Sequence, residues 1–505
     1  MLTLEHSFQW LKRTPLHENF WSPPFFFPHA GVQAYADNQL SVAPLFWVFR
    51  FVGFQPDTSF QLWMILCGAL SFWTAHFLMR RGFGFSRVPA ALGAFLLTFA
   101  SSRVAQLGHH QLWGFFYVNL AVFFLVRTTS LTLDVRTQRR AYPIYGFFLM
   151  LALMAYSSIY WLWFFSFVLL FVGLAATAFR ETRALVFRNL RTYRRSWCAA
   201  TVIFLVAIAP LFKPYLSASR ELGAYGWDAI QWFLPSAQTW VFHGKESWLY
   251  GWMKQVKLFQ MIPIPEEKQL GFGVVTFLVS VITVFRQRKT RWVRVTGLGF
   301  LGVWLVANWF PGDIHLWSVV DDIFPAAHAM RVVSRVGIFF LFPAAWALAF
   351  YAQKIRSKRA LALLLAVVVA EQLRTVPAYP KQLVRGTVEQ VREQIFDRHL
   401  FAKESCIAFL LTEDMGLHPE WPDRNTHDIN RDAMYASLDV GLPTLNGYST
   451  RPPPGWEFDP VLVPDPRVST EKHAREMKRL RQSLKKWTER YGLTPADVCW
   501  IHRSL

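Results

Sequence analysis

AYPIYGFFLMLALMAYSSIYWLWFFSFVLLFVGLAATAF, residues 141–179, runs for 39 positions without a charged side chain. As one α-helix rising about 1.5 Å per residue it would be roughly twice the ~30 Å thickness of a bilayer's hydrocarbon core. The segment must therefore turn back on itself, at Tyr156, Ser157 and Ser158, with Tyr156, Tyr160, Trp161 and Trp163 suited to the headgroup level. Working outward, eight further apolar runs bring the number of expected spans to ten: 59–79, 88–106, 111–127, 141–157, 159–179, 196–213, 269–285, 292–310, 334–353 and 360–376.

Charge gives these spans a direction. The chain has 53 Lys and Arg against 33 Asp and Glu, a net charge of +20. Up to residue 376 there are 35 basic residues and 15 acids, and beyond it 18 of each. The excess sits in five short turns, around 80–87, 127–140, 180–195, 286–294 and 354–359, which hold 22 basic residues and two acids, Asp134 and Glu181. Basic short loops stay cytoplasmic, so all five turns are expected inside. A composition that is 53% hydrophobic and 17% aromatic, with a mean hydropathy of +0.22, excludes a disordered chain. A basic excess confined to the membrane part also argues against a nucleic-acid surface.

The expected fold is thus a polytopic α-helical membrane protein of about ten transmembrane helices, in three parts. Residues 1–58 form an extracytoplasmic first loop with an interfacial helix. Residues 59–376 form the helical module, with outward loops 214–268 and 311–333. Residues 377–505 form a small extracytoplasmic α+β domain, suggested by the apolar run CIAFLL, Gly and Pro punctuation and a charged terminal helix at about 470–491. Segment 39–54, which contains Pro44 and Arg50, reads as an amphipathic helix on the outer face, or alternatively as a strained span. Lys12 and Arg13 interrupt any signal-peptide core, so the expectation is a further transmembrane helix encoded upstream of Met1.

Chemistry is expected in the outward loops, which a helical scaffold can hold in place. The first loop, ENFWSPPFFFPHAGVQAYADNQLSVAPLFW, carries Asp37, which reads either as the N-cap of the interfacial helix or as a general base. Its proline and aromatic cluster is expected to pack on the membrane surface. Arg331 and Arg335, in HAMRVVSRVGIFF, are four apart and expected on one helix face at the outer end of a span, where cations bind either a phosphate or lipid headgroups. Lys268 is a weaker case of the same kind. His109 and His110 close an outward turn after Arg103, and adjacent His residues make a poor chelate without help from Asp37, His29 or Asp313. Asp321 and Asp322 read as a helix end or a divalent-cation site, and Tyr448 and Trp456 as either sugar-stacking or loop-fixing residues. Cys406 and Cys499, both in the tail, are permitted a disulfide by an oxidising compartment. Dinucleotide, P-loop, nucleophile-elbow and zincin motifs are all missing, which excludes a nucleotide cofactor.

An outward loop with a lone Asp, an amphipathic helix, a helix ending RRGFGFSR and a following helix of small residues resemble the N-terminal module of GT-C glycosyltransferases, over about residues 15–215. HAMRVVSRVGIFF and DAMYASLDVGLPTLNGYSTRPPPGW resemble motifs of uncharacterised bacterial GT-C-like membrane proteins. The resemblance implies a plasma-membrane enzyme that transfers a sugar from a polyprenyl-phosphate carrier to a lipid, glycan or protein acceptor on the extracytoplasmic face. It makes Asp37 the catalytic residue, with Arg331, Arg335 and Lys268 on the donor phosphate, and His29, Arg103, His109, His110, Tyr448 and Trp456 lining the substrate. A divalent cation is left open. This chain departs from the family in lacking the expected first helix and in having one acid rather than a pair at the motif. The rival readings are a transporter or flippase of lipid-linked intermediates and an inactive scaffold of the same fold.

Overall fold

A computed structural model describes residues 1–129, 141–324, 326–375, 381–394, 406–419, 421 and 424–504. Asp134, Arg136, Arg139 and Arg140 of the second basic turn lie outside these, as does the expected boundary at 376 and 377. The chain forms two compact units: Met1–Phe60 with Leu211–Gly223 and Ala378–Leu505, and Gln61–Pro210 with Ala224–Pro377.

The second unit is helical, and a helix occupies each apolar segment read from the sequence. Among the described residues five helices are long and apolar enough to cross a bilayer by themselves: Pro56–Gly82, His110–Thr128, Ile159–Ala178, Arg194–Leu222 and Val333–Lys354. Tyr142–Ala155 and Val274–Arg286 are apolar but shorter. The long uncharged stretch breaks where expected, with one helix ending at Ala155 and the next starting at Ile159. Residues 180–195, expected as a turn, instead form the helix Arg180–Thr192. Its Arg, Leu, Glu and Ala residues favour helix, and neither Gly nor Pro interrupts them. Val202, Ile203, Leu205 and Val206 on Arg194–Leu222 are exposed, which suits contact with lipid. Helix Arg291–Ala307 packs closely on Ile159–Ala178 because Gly299 has no side chain, and a Cβ there would lie 2.7 Å from Val172 Cα.

Glu371, at the end of Lys358–Gln372, is the acid the sequence places inside a span, and it is 0% exposed. Its carboxylate accepts from the backbone N–H groups of Val275 (2.6 Å) and Thr276 (3.0 Å), the Thr276 hydroxyl (2.7 Å) and the Tyr250 hydroxyl (2.6 Å). It therefore satisfies the orphan donors at the start of Val274–Arg286. Gly273 has φ of 100°, and a Cβ there would collide with Glu371. Glu371→Ala would strand these donors and should cost about 3 kcal/mol or more, read as a lower denaturation midpoint in detergent.

In the first unit, helices Leu2–Leu11 and Ala43–Phe51 pair through Glu5, which accepts from Arg50 at 2.8 and 3.0 Å, and through Trp47 Nε1, which donates to Ser7 at 2.9 Å. Val48, Phe51, Val52 and Phe54 remain exposed, as an interfacial helix requires. The SPPFFFP cluster does not lie on a surface. Phe25 and Phe26 are buried in the core of the C-terminal domain, and the backbone N–H groups of Phe26 and Phe27 donate to the carbonyls of Asn446 and Thr444.

The C-terminal domain is α/β where α+β was expected. Strand β1 (Ala408–Asp414), helix α1 (Thr426–Val440), β2 (Leu462–Val463), α2 (Thr470–Arg490) and β3 (Val498–Arg503) form a parallel sheet of order β2-β1-β3. Every residue of β1 is buried, and its first four, Ala408–Leu411, are apolar without alternation, because a central parallel strand is covered on both faces. Cys406 and Cys499 are joined by a disulfide with their Cα atoms 5.7 Å apart.

Candidate functional site

In the second unit segments 265–268 and 333–340 both form 3-10 helices. Arg331 and Arg335 therefore do not share an α-helical face, since the 3-10 turn starts at Val333 with Arg331 still outside it. Tertiary contacts hold this geometry. The Ser334 hydroxyl donates to the Glu267 carbonyl at 2.8 Å, and Arg335 donates to the Glu267 carboxylate at 3.2 Å. His109 Nε2 lies 2.7 Å from the same carboxylate oxygen. Burial alone would raise the Glu267 pKa, but His109 and Arg335 outweigh it and hold the carboxyl down at about 2.

Lys268 and Arg331 have no such neutralisation among the described residues. Lys268 is 2% exposed, and among the described residues no carboxylate pairs with it; burial pushes its ammonium down to about 8. Arg331 stacks on Tyr225 and Phe233, and its Nε is buried without a hydrogen bond. Lys268 ends one of the segments that Glu267 and Ser334 tie together, and Arg331 precedes the other by two residues. Arg103 has a structural role here, donating to the carbonyls of Leu97 (3.0 Å) and Leu112 (3.4 Å) and lying over Phe115. His110 meets Trp63 edge-on while His109 turns to Glu267, so the two imidazoles diverge. Asp321, in the short helix Trp317–Ile323, pairs at 3.1 Å with His328 of the following 3-10 turn Ala327–Ala329.

In the first unit Asp37 is 9% exposed and follows the 3-10 turn Val32–Tyr35. It is not the N-cap of Ala43–Phe51, a position that Val42 occupies. His29 is engaged at both ring nitrogens. Nδ1 lies 2.7 Å from the Tyr491 hydroxyl, and Nε2 lies 2.9 Å from Glu221 and 3.0 Å from Tyr35, whose hydroxyl donates to Glu221 at 2.7 Å. Burial lowers the His29 pKa against the pull of Glu221, keeping the ring neutral. Trp456 is 7% exposed, packed on Phe26 and Phe458, and its indole donates to the Leu445 carbonyl, which makes it a core residue. Tyr448 is 48% exposed and meets Arg431 and His427.

Two clusters in the C-terminal domain are not visible as motifs. Glu413, at the end of β1, accepts from Arg424 at 2.8 Å and pairs with Arg503 at 2.8 Å, while Arg424 also pairs with Asp432 at 2.7 Å. Asp414, His473 and His502 converge on one point. Their separation along the chain leaves no spacing to read, and only the alternation of strand and helix from 408 to 503 could have brought them together. No protein-family model and no curated protein matches this chain, so its residues and fold carry the functional argument.

Proposed function

We propose that the chain is a GT-C-like membrane glycosyltransferase with about ten spans, basic turns in the cytoplasm and its C-terminal domain outside, which takes a sugar from a polyprenyl-phosphate carrier. The observation that carries this reading is the pair of cations, Lys268 and Arg331, that no acid neutralises among the described residues. Lys268 is buried and Arg331 half-buried, and a cation withdrawn from water is costly without a counter-charge, which an oxyanion such as a lipid-linked phosphate supplies. Arg335 spends its charge on Glu267, so it positions the segment rather than holding the donor. The Cys406–Cys499 disulfide supports an extracytoplasmic tail. A transporter is less well supported, because Glu371, the acid inside a span, is committed to a helix start.

Binding of a short-chain polyprenyl phosphate to the purified protein tests the reading. Arg331→Gln and Lys268→Gln should each weaken binding by about tenfold or more, since a charge-assisted contact contributes about 1.5–3 kcal/mol. Lys268 is protonated below its pKa of about 8 and loses its charge above it. Wild-type affinity should therefore fall as pH rises through that value, and the Lys268→Gln variant should lack this fall. Unchanged affinity in both variants would leave the cations to ordinary headgroups.

A further inference from the structure

We propose that Asp414, His473 and His502 form a zinc site in the C-terminal domain. The assignment is independent of the transferase reading. Their ligand atoms all lie within 4.8 Å of one another. Asp414 Oδ1 is 3.3 Å from His473 Nδ1 and 3.2 Å from His502 Nε2. Two ligands about 2.0–2.1 Å from a tetrahedral ion stand about 3.3 Å apart, so both spacings match an edge of a zinc tetrahedron.

The surroundings prepare the donors. Thr412 Oγ1 accepts from the Trp500 indole at 2.9 Å and lies 2.9 Å from His502 Nδ1 and 3.5 Å from the Ile501 carbonyl. Thr412 thus holds the ring through Nδ1 and leaves Nε2 turned towards Asp414. A metal-binding imidazole is typically oriented in this way by a second partner on its other nitrogen. His473 Nδ1 is also 3.0 Å from the Pro464 carbonyl, a hydrogen bond that ligation exchanges for the metal. Asp414 is 1% exposed, whereas both imidazoles are partly open, which leaves room for water as a fourth ligand.

The position in the fold is a second, independent argument. Asp414 ends β1, His502 lies near the end of β3, and His473 is in the first turn of α2. In the order β2-β1-β3 the first crossover runs from central β1 to β2 on one side, and the second carries the chain from β2 past β1 to β3 on the other, so the strand order reverses between β1 and β3. A crevice opens at the carboxyl ends of the strands at such a switch point, and open α/β sheets bind their ligands there.

The test uses the full chain, purified in detergent, treated with chelator and then titrated with zinc or cobalt chloride. One equivalent per chain is expected by elemental analysis, together with the visible absorption of tetrahedral cobalt and a chelator-reversible rise in melting temperature. Asp414→Asn, His473→Gln and His502→Gln should each weaken cobalt binding by at least 100-fold. His418→Gln, which removes a nearby imidazole bonded to Arg503, should not. Should a ligand variant fail to fold, the wild-type titration still decides. No binding at micromolar metal, or full stoichiometry in the folded variants, would overturn the site.

Discussion

Asp37→Asn should lower glycosyl transfer by about two to four orders of magnitude while leaving expression and melting temperature unchanged. If the Asp37 carboxylate takes the acceptor hydroxyl's proton, an amide of the same size cannot do so, and the loss falls on turnover. The competing explanation, that the residue only starts a helix, is weakened because Val42 rather than Asp37 is the N-cap of Ala43–Phe51. Asp37→Asn and Asp37→Ala should therefore be equally poor in turnover. A cap would instead separate them, with Ala losing about 1 kcal/mol of stability and Asn little. The measurement is product formation from a polyprenyl-phosphate-linked sugar beside a thermal melt for all three proteins. Full activity in the Asn variant removes Asp37 from the mechanism. Lipid-linked sugar crossing the membrane with no glycosylated product in any of the proteins would indicate a transporter.

How much of this was legible in the sequence follows from the range of the forces involved. Helices in the apolar segments were readable because length and hydropathy are local quantities, and the break at Tyr156–Ser158 needed only the comparison of 39 residues with a bilayer. The Arg331 and Arg335 geometry was not readable. Spacing of four implies a shared face only if the backbone is α-helical, and the hydrogen bonds from Ser334 and Arg335 to Glu267, 67 and 68 residues away in sequence, accompany a 3-10 turn instead. The same holds for SPPFFFP. Its composition is that of a membrane-surface loop, but Phe25 and Phe26 fill the core of a domain that begins hundreds of residues later. The α/β tail was missed because β2 has two residues and β3 mixes apolar and charged side chains, so periodicity had little to work on. Site residues followed the same rule. Lone charges such as Lys268 and Arg331 were visible one at a time, whereas Asp414, His473 and His502 are brought together by the order of the strands and the start of α2.

Replacing both Cys406 and Cys499 with Ser should destabilise the C-terminal domain by about 4–5 kcal/mol. The bond closes a loop with a sequence separation of 93, and the entropy it removes from the unfolded chain grows with the logarithm of that length. Oxidised wild type and the double variant, compared by denaturation in detergent, give the size of the effect, and reductant should bring wild type to the level of the variant. The same bond reports on the side of the membrane. The chain has four cysteines, of which Cys67 and Cys198 are free. Thiol counting on protein denatured without reductant should find two thiols if the tail faces an oxidising compartment, and four if it faces the cytoplasm. Reporters fused after Arg195 and Arg294 should then read as cytoplasmic and one at the C-terminus as outside, because the basic turns and the disulfide obey separate rules that agree only for an outward tail. Four thiols together with a cytoplasmic C-terminal reporter would remove the proposed transferase along with its topology, since a tail inside the cell is opposite the face where the donor is proposed to bind.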